Sequence, residues 1–167
     1  IVVLDSMPQV RIRSMRQCLT IETADLAALT TAQVAKMATD DLVAITTAQI
    51  TGLTTAQMAV LTTDQVVALS TAQVAALKTA QLAALTTTQL QFIETADLAA
   101  ILPGTLTGIT TDQVRALTLS QIKAITTAGI SALSTAQIVA LSEEQAYALT
   151  SGQVSQGLST AQLAAMQ

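Results

Sequence analysis

Apolar positions along this chain recur every eight residues. Read in blocks of eight from Asp5, the register runs without insertion to Gln156, which makes nineteen octads. One extra residue, Gly157, precedes a twentieth octad, Leu158 to Ala165. The consensus is Leu-Thr-Thr-Ala-Gln-Val-Ala-Ala, as in Leu69-Ser70-Thr71-Ala72-Gln73-Val74-Ala75-Ala76. The first position is apolar in eighteen of the twenty octads and the sixth in all twenty, counting Cys18 and Ala146. The fifth is Gln or Asp in eighteen, and Ser or Thr stands at the second or third in every octad except 101–108.

This pattern fits neither a regular strand nor a long helix. Positions one and six have opposite parity, so they cannot share one face of a strand. In a continuous helix, eight residues at about 100° each would turn the apolar pair by about 80° per octad and spread it round the cylinder. Each octad must therefore contain its own restart. Thr-Thr-Ala-Gln reads as a capping box, with position two as N-cap and the position-five Gln as N3, reaching back to the cap amide. Positions one and six then become the N′ and N4 partners of a hydrophobic staple. The repeat-defining pairs are typified by Thr54 with Gln57, Thr62 with Gln65, Ser70 with Gln73 and Ser134 with Gln137. Where position two is Glu22, Ala38, Lys78 or Glu94, position three is still Thr, which leaves a cap at position three open in those octads.

Charge placement agrees with this reading. Ten of the eleven acids fall at positions two to five, and four of the seven bases (Arg11, Lys36, Arg115, Lys123) at positions seven and eight. Acids at a helix start and bases at its end complement the helix dipole. The expected fold is therefore all-α: a solenoid of very short capped helices, one per octad. Isolated helices need about 12–15 residues, so stability must come from stacking. If two antiparallel helices form a layer, about ten layers at about 9 Å each give a rod on the order of 90 Å. Residues 1–20 read as degenerate N-terminal repeats or a cap, 21–156 as the solenoid with an irregular repeat at 101–108, and 157–167 as a final repeat and C-terminal end. Pro103 suits N1, where a missing amide costs nothing.

Composition narrows the chemistry. The chain has 167 residues, a net charge of −4, no His, one Cys, one Tyr, one Phe and no Trp. Without His, and with Cys18 alone, neither His-based triads nor zinc sites are expected. A glycine-rich phosphate loop is also missing from the sequence. Glu143-Glu144 and Asp40-Asp41 are the vicinal acid pairs, and both stand where a first helical turn wants acids. Met37, Met58 and Met166 read as core or end residues and Tyr147 as surface packing. No cofactor, metal or catalytic site is expected, and the reading is of a non-enzyme. Seven bases against eleven acids argue against a nucleic-acid partner. No window approaches 18 uninterrupted apolar residues, so no transmembrane segment is expected. Ile1 in place of Met suggests a processed product or a piece of a longer chain.

Runs such as Leu53-Thr54-Thr55-Ala56-Gln57 and Leu69 to Leu77 resemble the Thr-Thr-Ala-Gln octapeptide arrays of very large bacterial secreted or cell-surface proteins, often labelled adhesin-like, haemagglutinin-like or haem-utilisation proteins. The resemblance implies a stalk, spacer or surface polymer outside the cell; a haem role has no support in a chain without His. A weaker likeness, to the Leu-Thr-x-x-Gln-Val-x-Ala string that opens TAL-effector DNA-binding repeats, lacks their long period, base-reading pair and basic stripe. The functional expectation is an extracellular or cell-surface structural or adhesive module, a stalk or a self-associating filament subunit. The alternative is a scaffold for a protein or peptide partner, with Arg11, Arg13 and Arg16 as possible docking residues. Ice binding by ranks of Thr ranks below both.

Overall fold

The structure, a computed structural model, describes residues 22–166. Within them the chain is a tandem series of helices of four to six residues, one per octad, from Thr23–Ala28 to Thr160–Ala165. Each restart has the same local cause. The position-two residue is extended (Thr54 φ −75°, ψ 162°) and the helix begins on position three. The helix ends within its own octad. The next position-one residue is again extended, as at Leu29, Ile45 and Leu85. Its N–H closes the last turn on the position-six carbonyl three residues back, as Leu85 does on Leu82 at 3.2 Å. The cap stays at position two even where that residue is Glu22, Ala38, Lys78 or Glu94, so position three does not take over. The staple pair fixes the register of the restart regardless of the capping side chain.

Successive helices wind around a common core. Thr71–Ala75 packs on Thr95–Ala100, and Pro103–Leu106 on Thr127–Ala132, in each case three octads on. Hydrogen bonds between turns span 28 and 31 residues. A turn of the solenoid therefore takes between three and four octads, close to three and a half. This corrects the expectation of two-helix layers. Two helices of six residues cannot enclose a core between them. Three and a half octads per turn bring the first- and sixth-position side chains of most octads onto one axis, where Ile50, Leu53, Met58, Leu61, Leu82 and Leu85 belong to a single buried cluster. At about 9 Å per packed helix step, the described residues stack into about five turns, on the order of 45 Å.

Irregular octads are absorbed locally. Pro103 occupies the start of its helix behind Leu102 as N-cap, where its missing N–H is harmless. The single-residue insertion at Gly157 appears as a π-helical segment, Gln153–Gly157, since a wider turn takes up one extra residue without disturbing the octads on either side. A Cβ at Gly157 would stand 3.1 Å from the carbonyl oxygen of Thr127. The wide turn therefore lies close against the turn before it.

Candidate functional site

The feature that recurs along the array is the position-five glutamine. In the octad of Thr54, the N–H of Gln57 donates to Thr54 Oγ1 at 3.3 Å, and Gln57 Oε1 accepts from the Thr54 N–H at 2.7 Å. Thr62 with Gln65, Ser70 with Gln73 and Ser134 with Gln137 repeat both bonds at 2.7–3.3 Å. The box satisfies two backbone donors that a helix start leaves open. Gln57 is nonetheless 1% exposed, although an N3 side chain on a surface helix ordinarily faces solvent.

The other end of the amide explains the burial. Gln57 Nε2 donates to the carbonyl oxygens of Leu26 and Leu29, both at 2.7 Å, on the preceding turn. Gln65, Gln73, Gln81, Gln89, Gln121, Gln145 and Gln153 make the same pair of contacts, 31 and 28 residues back. The acceptors are the position-six carbonyl, which already takes the position-one N–H, and the next position-one carbonyl, just past the helix end where backbone oxygens lack intrahelical partners. One side chain thus caps its own helix at the N-terminus and, one turn back, ties off the C-terminus of another. Each buried bond is worth roughly 0.5–1.5 kcal/mol net, and an abandoned buried acceptor costs roughly 1–3 kcal/mol.

Capping alone does not reveal this interlock, because a capping box accepts Glu as readily as Gln. A signal exists all the same. Fifteen of the twenty fifth positions are Gln and none is Glu. That exclusion marks a need for a donor as well as an acceptor.

The remaining candidates do not converge on a centre. Glu143 and Glu144 are exposed in the first turn of Glu143–Ala148, and Tyr147 is 82% exposed. Met58 is buried in the core, while Met37 and Met166 pack against it. Arg115 pairs with Asp112 at 3.3 Å on the surface. Among the described residues, no group of three or more His, Cys, Asp or Glu could hold a metal ion, and no helix is long and apolar enough to cross a membrane. Arg11, Arg13, Arg16 and Cys18 lie outside the described residues.

A family model described as the ALTTAQ repeat matches residues 34–71, 67–92, 90–127 and 122–156. The chain belongs to the ALTTAQ repeat family. The six letters carry the structural unit: in Ala68-Leu69-Ser70-Thr71-Ala72-Gln73, Leu69 is the staple, Ser70 the cap and Gln73 the interlock. No curated protein and no solved structure matches this ALTTAQ chain.

Proposed function

We propose that this ALTTAQ array is a non-enzymatic structural and adhesive module of an extracellular or cell-surface bacterial protein, acting as a stalk or as a subunit that self-associates. The observation that carries the reading is the interlock. The interlocking glutamines hold each turn to the one before it, so length can grow octad by octad without a new interface. That is the property a spacer needs. The octapeptide resemblance supports placement outside the cell.

Self-association is supported by the surface. Val67, Phe92, Leu119 and Tyr147 are exposed apolar side chains, and successive members are 25, 27 and 28 residues apart. Contacts between turns elsewhere span the same intervals: Gln91 to Ala116, Lys78 to Thr51 and Gln81 to Leu53. Each interval is within three residues of one 28-residue turn, which sets the four toward one side of the winding. Exposed apolar side chains on a weakly charged solenoid favour pairing with another copy.

Sedimentation velocity over a range of concentrations tests the proposal. An elongated particle that grows with concentration, and grows less in Phe92→Ser/Tyr147→Ser, supports a self-associating module. Monomers at every concentration leave the stalk reading and remove the filament. A compact particle sinks both. Detection of the array only inside cells, by fractionation of a native host, counts against the surface placement.

A further inference from the structure

We propose that the two octads from Ile93 to Gly108 form a joint in the array, packed but under-latched, with glutamine amides reaching it only near its ends at Ile93 and Thr107, and that it opens before the turns on either side. From Gln57 to Gln162, eleven of the fourteen fifth positions donate a glutamine amide to the preceding turn. The three exceptions are Asp97, Thr105 and Gly129, and they fall in neighbouring parts of the winding. Asp97 and Thr105 belong to consecutive octads. Gly129 lies in Thr127–Ala132, which packs directly on Pro103–Leu106.

The register shows what is lost. The acceptors that Asp97 would serve are the carbonyls of Val66 and Leu69, and no glutamine amide reaches them. A carboxylate cannot donate. Asp97 is buried and instead accepts from Thr71 Oγ1 at 2.5 Å, so one bond between side chains replaces two to the backbone. Gly129 has no side chain to offer, and it fails to reach Leu98 and Ile101 of the same joint. Space there is already filled: a Cβ on Gly129 would fall 2.8 Å from Leu106 Cδ1 and from Ile125 Cγ2. Both joint helices also lack a capping box, with Glu94 and Leu102 as N-caps making no side-chain cap bond.

The apolar core runs through the joint unbroken, with Leu98, Ile101 and Leu106 buried. The closed state is therefore well packed. What is missing are the directional bonds that must break for a turn to lift, and segments held by fewer such bonds open at lower free energy. This inference rests on the interlock geometry and is independent of whether the array is a stalk.

Native-state hydrogen exchange on the full chain, resolved by peptide, tests it. Amides of residues 94–108 are expected to exchange at least tenfold faster than those of residues 77–92, which carry Gln81 and Gln89. The double substitution Asp97→Gln/Thr105→Gln is expected to bring residues 94–108 back to the rate of their neighbours. Equal protection of the two segments in the unmodified chain overturns the proposal, and so does a folded double variant whose exchange pattern is unchanged. Should that variant fail to fold, the profile of the unmodified chain decides.

Discussion

At the scale of the residue, one glutamine side chain joins two turns, and its two functional atoms can be separated by substitution. Gln89 Oε1 accepts from the Thr86 N–H at 2.6 Å, while Nε2 donates to Met58 and Leu61 at 3.0 and 2.6 Å. Gln89→Glu keeps the acceptor, loses the donor and sets a charged group against two carbonyl oxygens. It is expected to destabilise the array by about 2–4 kcal/mol. Thr86→Ala removes only the hydroxyl that accepts from the Gln89 N–H and is expected to cost about 1 kcal/mol. Denaturant titration of both variants gives the comparison. If the glutamate costs no more than the alanine, the bond between turns contributes little. Leu82, with no exposed surface, is the apolar counterpart, and Leu82→Ala should cost about 2–5 kcal/mol through the cavity it leaves.

Among elements, the π-helical segment Gln153–Gly157 offers the sharpest test of register. Gln162, beyond the insertion, reaches only Leu133, 29 residues back, at 2.7 Å. Deleting Gly157 would place Gln162 at the standard 28 residues from Leu133 and 31 from Ile130. The expected outcome is an ordinary α-helix in this octad and a second bond, to Ile130. Slower amide exchange across the last two octads would register that gain; faster exchange there would show that the wide turn is required. A related constraint applies to Gly108, the last residue of its octad. A Cβ on Gly108 would meet Thr79 Cγ2 and stand 2.9 Å from the Thr79 carbonyl oxygen, so Gly108→Ala is expected to lower the thermal midpoint.

For the whole molecule, stability follows from nearest-neighbour terms between turns. Duplicating 56 residues adds seven octads, which at this winding is two turns. Small-angle scattering should then show the longest dimension growing by about 18 Å, two packed helix steps, while the far-ultraviolet circular dichroism per residue stays constant. Layers of two helices would instead lengthen the rod by nearly twice as much. A single strand-type minimum would be incompatible with the fold.

Much of this architecture is legible in the chain because its causes are local. The staple pair Leu85 and Leu90, the cap Thr86 and the reply from Gln89 lie within six residues, so restart and helix type can be read without knowing what lies across the core. The number of octads per turn cannot be read that way. It depends on how first- and sixth-position side chains close round an axis, and on carbonyls 28 and 31 residues away that no local pattern announces. The same holds for Asp97 and Gly129, which read as mild departures from a consensus. Only the winding assigns both to one joint.

The sequence by itself determined the eight-residue unit, its helical state and its capping chemistry, since each depends on torsions and hydrogen bonds within a single octad. The tertiary structure alone decided the winding, the second role of glutamine and the grouping of the exceptions. Those depend on which turn settles on which, and that is set by the fit of side chains distant along the chain.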